Sequence, residues 1–287
     1  MSETSVSSWN ELMDCLYEHA WTPALNRFRS PYAFRGLSNA SYSLNTSLMR
    51  LGDHYAQLEG HLLRNFKKYA HQVVTKSDSF WYWLSVAQHH GLPTRLMDWT
   101  FSPYVALHFV TACIDQYDHD GVVWCVDYKK VHAHLPKQLT ECLTTEGADV
   151  FTIDMLTPIT SLAEFDGLTD PACALFFEPP SMDERIVNQY ALFSVVSSPT
   201  LSLDEWLKNH PDCYRRILIP HTLKWEIRDK LDQANINERV LFPGLDGLSS
   251  WLRRQYFPTV DPETGRPNQR EEDIQQEREK QGFQNLS

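Results

Sequence analysis

The sequence predicts an α+β fold, with a single irregular mixed sheet and flanking helices. Three observations support this prediction. Segments with strand and helix patterns are short and follow one another in no regular order. Hydrophobic residues make up 42% of the 287 residues and aromatic residues 12%, which suffices for a buried core. The sequence lacks the GxGxxG and Walker-type glycine loops, so the common nucleotide-binding folds are not supported.

Composition and local signals divide the chain into three segments. Ser8 and Glu11 form a capping-box pattern ahead of apolar residues at helical spacing, which predicts a helix over residues 8–20. We expect residues 1–29 to hold this helix against the domain, and residues 30–257 to form the domain itself. Residues 258–287 are rich in Glu, Gln and Arg, with one aromatic residue, Phe283, and are predicted to be a disordered polar tail.

Short apolar and alternating patterns predict the elements of the domain. The predicted strands are residues 31–37, 42–48, 122–126, 174–177, 191–196 and 214–219. The predicted helices are residues 55–74, 80–90, 103–117, 203–209, 221–234 and 248–256. Residues 127–170 are weakly patterned, and their basic residues and histidines, including His132, are interpreted as solvated.

The stretch from Gln88 to Phe109 concentrates polar groups between two apolar helices. Gly91 can end a helix in the left-handed conformation, and Pro93 prevents the helix from resuming. Ser102 and Pro103 give the start signal of the next helix, whose first N–H groups could hold an anion. Residues 91–101 are therefore predicted to be a connector that holds polar side chains in fixed directions.

The candidate chemistry of this stretch lies in His89, His90, Arg95 and Asp98. Adjacent histidines on a helix point about 100° apart, so we expect one of them to face a site and the other to pack or cap. Arg95 and Asp98 stand at i and i+3, and the structural alternative is that they pair with each other.

Arg35 follows the aromatic strand pattern of residues 31–34 and stands at the predicted end of a core strand. A buried guanidinium needs an anionic partner. This partner is either a ligand phosphate or carboxylate, or an internal acidic side chain.

Bulk charge and cysteine usage exclude several classes of function. The formal net charge of −11 argues against broad nucleic-acid binding. No run of the sequence approaches 18 apolar residues, and the first residues lack a signal-peptide pattern, so neither a membrane span nor secretion is expected. The six cysteines have no metal-ligand spacing and indicate a reducing, cytoplasmic location without a metal site.

Several motifs together resemble one family. They are Phe34-Arg35-Gly36, residues 88–100 with Pro103, Ala106, Leu107 and Phe109, residues 185–189 with Phe193, and residues 241–247. This set resembles the FRG domain, a family found in bacteria and phages, over residues 30–250. The resemblance implies a setting in phage defence or toxin action, and it implies a shape more than a reaction.

The first functional hypothesis is an NAD-consuming enzyme, an ADP-ribosyltransferase or NAD glycohydrolase, with an ADP-ribosyltransferase-like layout. That layout places an arginine after the first strand, a Ser/Thr motif before a helix, and a late Glu or Gln at a strand edge. Arg35, Thr94 or Thr100, and Gln189 or Glu238 occur in this order. A carboxylate, Asp98 or Glu238, would stabilise the oxocarbenium-like state of glycosidic cleavage.

Residue roles follow from this hypothesis, with NAD as substrate and an unknown acceptor or partner protein. The residues expected to bind the nucleotide are Arg35, Gln88, His90, Thr94 and Arg95. The candidate catalytic residues are His89, Asp98, Gln189 and Glu238.

Two alternatives remain open on the sequence. One is a non-enzymatic module that binds a ligand or partner through a buried network of Arg35, Arg95 and Asp98. The other is a metal-independent nuclease that uses His89 or His90 as acid and base, against which the acidic surface counts.

Overall fold

One large mixed sheet organises the chain in a computed structural model that describes residues 2–70 and 79–256. The strands are β1 (Ser2–Ser5), β2 (Trp21–Thr22), β3 (Arg27–Phe28), β4 (Tyr32–Leu37), β5 (Met97–Thr100), β6 (Gly121–Asp127), β7 (Phe151–Thr152), β8 (Ala174–Glu178), β9 (Ala191–Val196) and β10 (Tyr214–Ile219). Eight of them form the sheet in the order β1-β10-β6-β4-β5-β9-β8-β7, and β2 and β3 form a separate hairpin. The outermost pairs, β1 with β10 and β7 with β8, are parallel, and the inner pairs are antiparallel. The predicted mixed α+β sheet is confirmed.

Twelve helices flank this sheet in the described part of the chain. They are α1 (Trp9–Tyr17), α2 (Tyr55–Ala70), α3 (Phe80–His89), α4 (Pro103–Val110), α5 (Tyr128–His132), α6 (Lys137–Glu146), α7 (Leu162–Asp166), α8 (Glu184–Asn188), α9 (Leu203–Lys208), α10 (Lys224–Gln233), α11 (Glu238–Leu241) and α12 (Leu245–Gln255). The predicted caps of α1 and α4 are present, since Ser8 accepts from the Glu11 N–H and Ser102 accepts from the Val105 N–H. The end of the helix predicted over 55–74 and the predicted tail at 258–287 lie outside the described residues.

Three sequence predictions are wrong in detail. Residues 91–101 are not only a connector, because Met97 and Trp99 alternate with Asp98 and form the central strand β5. Residues 42–48 form no strand, since β4 already has β6 and β5 as neighbours. His132 is buried instead of solvated, because its Nε2 accepts from the Phe176 N–H, and burial lowers its pKa to about 4.

The two faces of the sheet are packed differently. One face carries a continuous apolar cluster that includes Trp99, Trp124 and Phe176. The other face carries two separate clusters, one around Phe34 with α1, α4 and α10, and one around Phe193 with α2, α3, α6 and α7. A gap between two packed regions is thus left near the middle of the sheet.

Strands β4 and β5 separate at this gap. Their ladder contains a single register pair, Phe34 with Thr100, whereas β5 pairs with β9 over four residues. The carbonyl oxygen of Asp98 accepts a hydrogen bond from the Arg35 guanidinium. A side chain therefore bridges the two strands where their main-chain ladder stops.

Gly36 allows α4 to lie directly against β4, and we expect Gly36→Ala to lower the free energy of unfolding by about 1–3 kcal/mol. A Cβ atom at this position would lie 1.9 Å from the Ala106 carbonyl oxygen, which is main chain and cannot rotate away. Urea unfolding measures the change. The control is Gly60→Ala on α2, where a Cβ meets nothing within 4 Å and helix propensity predicts a gain of up to about 1 kcal/mol. Equal stability of the Gly36 variant and the natural protein would contradict this close contact.

Candidate functional site

A cavity of about 560 Å³ lies at the gap between β4 and β5. Small-molecule cavities in proteins span roughly 300–1,000 Å³ and combine apolar walls with a few polar groups. The residues that line this one are Phe34, Arg35, Gly36, Gln88, His89, His90, Gly91, Asp98, Trp99, Thr100, Phe109, Arg185, Ile186, Gln189, Ala191 and Phe193. Aromatic rings, two guanidiniums, two imidazoles and one carboxylate thus surround one space.

Asp98 is held in place by a chain of hydrogen bonds that begins at Thr94. The Thr94 hydroxyl donates to Gln88 Oε1 over 2.6 Å, and Gln88 Nε2 donates to Asp98 Oδ2 over 2.9 Å. Thr94 Oγ1 also accepts from the Leu96 N–H, which fixes the hydroxyl proton toward Gln88. Each donor in this series of hydrogen bonds has one acceptor, so the carboxylate of Asp98 has a defined orientation in the cavity wall.

Arg35 enters the same wall from β4. Its guanidinium donates to the main-chain oxygen of Asp98, and its buried Nε has no hydrogen-bond partner among the described residues. Burial lowers the pKa of Arg35, and the Asp98 carboxylate opposes this effect. An arginine in this state has donor capacity left for a ligand oxygen.

Both histidines line the cavity, which corrects the expectation that only one would face a site. Helix α3 ends at His89, so His90 is a cap residue outside the helical spacing, and the two ring centroids lie 5.2 Å apart. His89 Nε2 contacts Asp183 Oδ2 at 2.5 Å, and Asp183 also caps α8 by accepting from the Ile186 N–H. His89 therefore fixes the position of α8 relative to α3.

Gln189 lies at the opposite wall, between α8 and β9. Its Nε2 donates to the Leu241 carbonyl oxygen over 3.0 Å, and its own carbonyl oxygen accepts from the Thr100 hydroxyl over 2.7 Å. The neighbouring Asn188 donates to the Val240 carbonyl oxygen over 2.8 Å. Gln189 and Asn188 thus attach this wall to α11 through two side-chain amides.

Arg95 does not line this cavity and does not pair with Asp98. It lies 5% exposed, and its Nε and Nη2 donate to Glu59 on α2 over 2.8 and 2.6 Å. It also contacts Asp166 at the end of α7. The i, i+3 pair with Asp98 is therefore wrong, and the predicted network of Arg35, Arg95 and Asp98 does not form.

Glu238 lies in a different part of the molecule. It pairs with Arg254, with Nε to Oε1 at 2.7 Å and Nη2 to Oε2 at 2.8 Å, beside a second cavity of about 460 Å³. Burial alone would raise the pKa of Glu238, but the hydrogen bonds and charge of Arg254 lower it overall. Glu238 and Asp98 are thus placed in separate cavities.

Sequence reasoning assigned no role to Asp183 or Arg185, although both stand at the cavity. Asp183 precedes a helix of only five residues, and Arg185 lies over the ring of Phe242 at 5.1 Å. The available signals were the N-cap residue type of Asp183 and the place of Arg185 in a family motif. Within residues 2–70 and 79–256, no group of three or more His, Cys, Asp or Glu residues is arranged to hold a metal ion.

The fold and the cavity define an α+β protein with a cavity at the split of its sheet. Residues 30–119, which are less than half of the chain, match the family model described as the FRG domain. The match includes Arg35, Gln88 and Asp98 and ends before Gln189 and Glu238. Searches of curated proteins and of solved structures give no match to this chain. Among the described residues, no helix is both long and apolar enough to cross a bilayer.

Proposed function

We propose that the cavity binds NAD and that the protein cleaves the bond between nicotinamide and ribose. One observation carries the proposal: Asp98 presents an oriented carboxylate and Arg35 a guanidinium with free donor capacity in the same cavity. The cavity volume and the aromatic side chains Phe34, Phe109 and Phe193 suit a nucleotide with a planar base.

The proposed reaction begins when the bond from ribose C1′ to the nicotinamide nitrogen breaks. Both bonding electrons leave with nicotinamide, which becomes neutral, and positive charge develops on C1′ and the ring oxygen. The carboxylate of Asp98 stabilises this charge, and Arg35 donates to a phosphate or ribose oxygen. Water or an acceptor nucleophile then bonds to C1′ and loses a proton, which gives ADP-ribose or an ADP-ribosylated acceptor.

Positions of the other cavity residues support a division of roles. Gln88, which lines the cavity, and Thr94, which lies behind this lining, orient Asp98. His89 contacts Asp183 and positions α8, and the net charge of −11 counts against the nuclease alternative. In this proposal, the consumption of NAD is how the protein acts in a phage-defence or toxin setting inside the cell.

The direct test is incubation of the purified chain with NAD and quantification of nicotinamide and ADP-ribose by liquid chromatography. We expect nicotinamide release by the natural protein and a loss of about 10- to 100-fold on Arg35→Ala, because a charge-assisted hydrogen bond to the ligand is removed. The matched control is Arg27→Ala in β3, an exposed arginine outside the cavity. Binding of NAD without release of nicotinamide would instead favour the non-enzymatic module, and absence of both would overturn the proposal.

A further inference from the structure

Arg185 is an arginine of the cavity that has no acidic partner among the described residues. It is the second residue of α8, its side chain is exposed, and it forms no ion pair within the described part of the chain. Other arginines are neutralised by carboxylates, including Arg95 by Glu59 and Arg254 by Glu238. The charge of Arg185 is therefore available to a ligand.

The charge balance of the cavity favours an anionic ligand. Arg35 and Arg185 line it, and neither guanidinium is paired with a carboxylate of the described residues. Among the described residues that line the cavity, Asp98 is the one with a carboxylate. Asp183 stands beside the cavity, and its carboxylate contacts His89. Two unneutralised guanidiniums and one carboxylate leave a surplus of positive charge on a protein whose net charge is −11.

The ring of Phe242 contacts the guanidinium of Arg185. The guanidinium carbon lies 5.1 Å from the ring centroid, within the range of a cation–π contact. Such a contact with the ring does not use the guanidinium N–H groups as hydrogen-bond donors to a carboxylate. These N–H groups form the fork that matches phosphate oxygens.

The backbone that carries Arg185 is also fixed. Asp183 holds the start of α8 to His89, and Asn188 and Gln189 hold its end to the Val240 and Leu241 carbonyl oxygens. A short helix attached at both ends keeps its side chains in place before a ligand arrives. Such preorganisation lowers the entropic cost of binding.

We propose that Arg185 binds the diphosphate of a dinucleotide in this cavity, with Phe242 as its positioning residue. The inference rests on the proposed function and deepens it, because it assigns recognition of the substrate's diphosphate to a residue that the proposed reaction leaves without a role. Arg35 and Asp98 then act on the ribose that carries the nicotinamide.

Calorimetric titration of the full chain with two probes tests this proposal. ADP-ribose carries the diphosphate, and nicotinamide riboside carries the scissile bond without phosphate. We expect Arg185→Gln to weaken ADP-ribose binding at least 10-fold and to change nicotinamide riboside binding by less than about 2-fold. The matched control is Arg239→Gln, since Arg239 also lies over an aromatic ring, Trp251 at 4.7 Å, but outside the cavity.

A double-mutant cycle tests the role of Phe242. We expect Phe242→Leu to weaken ADP-ribose binding about 3-fold in the natural background and to have no further effect in Arg185→Gln. Thermal unfolding of each variant separates this effect from a loss of fold. Equal weakening in both backgrounds would show that Phe242 acts independently of Arg185 and would overturn its positioning role.

ADP-ribose binding and nicotinamide release together distinguish the diphosphate assignment from NAD cleavage. ADP-ribose binding that is unchanged in Arg185→Gln overturns the diphosphate assignment and leaves NAD cleavage standing. Arg185-dependent ADP-ribose binding without nicotinamide release supports the assignment and overturns cleavage. If the natural protein binds no ADP-ribose, the diphosphate assignment is overturned, and nicotinamide release from NAD alone decides on cleavage.

Discussion

Asp98→Asn is expected to lower nicotinamide release from NAD by about 100- to 1,000-fold, the range seen when one electrostatic stabiliser of a transition state is removed. The replacement has the same shape and removes the negative charge. Its amide oxygen can still accept from Gln88 Nε2, so the hydrogen bond that orients the side chain is kept. The loss should therefore appear in kcat, measured by the rate of nicotinamide release at saturating NAD.

Two comparisons separate the role of Asp98 from a general effect of charge. Asp14→Asn removes an exposed carboxylate on α1 and should leave the rate unchanged. Glu238→Gln removes the other carboxylate that the sequence suggested, in a separate cavity, and should lower stability without a comparable loss of rate. An Asp98→Asn rate within 3-fold of the natural protein, or a greater loss in Glu238→Gln, would contradict the assignment.

The sequence predicts the local features of this site well. The turn at Gly91 and Pro93, the cap at Ser102 and the apolar helix before Gln88 all depend on near neighbours. The structure has these features: Gly91 has a positive φ of 80°, and the Ser102 hydroxyl accepts from the Val105 N–H. Local steric and hydrogen-bond preferences are encoded within a few residues.

The separation of β4 and β5 is not visible in the sequence. It depends on which strands become neighbours, and β5 has only four residues between a proline-containing turn and a helix cap. In β5, Asp98 points into a cavity and stands between the buried residues Met97 and Trp99. This alternation of polar and apolar residues is too short to predict a strand. The cavity arises from this long-range strand order.

Arg95 shows how sequence proximity misleads about ion pairs. The nearest acidic residue in the chain, Asp98, is three positions away, yet its side chain is oriented by Gln88 on a neighbouring helix. The actual partners, Glu59 and Asp166, are 36 and 71 residues away. A connector between two helices turns Arg95 away from the cavity, and only the tertiary packing of α2 and α7 shows this.

Arg95→Met is expected to lower the free energy of unfolding by about 3–5 kcal/mol, because it leaves the carboxylate of Glu59 buried without its partner. Glu59 is 3% exposed, and all the Arg95 donors that reach it would be lost. Asp166 is more accessible and can be solvated in the variant. Urea unfolding measures the loss.

The double variant Glu59→Leu with Arg95→Met should recover most of that loss, because it removes the buried charge together with its partner and fills the space with apolar atoms. The control is Lys137→Met, which breaks an exposed pair with Glu141 and should change stability by less than about 1 kcal/mol. Below its unfolding temperature, Arg95→Met should release nicotinamide at the natural rate, since Arg95 lies outside the cavity. A large drop in kcat in a folded Arg95→Met protein would contradict this and would support a role for Arg95 in binding the nucleotide.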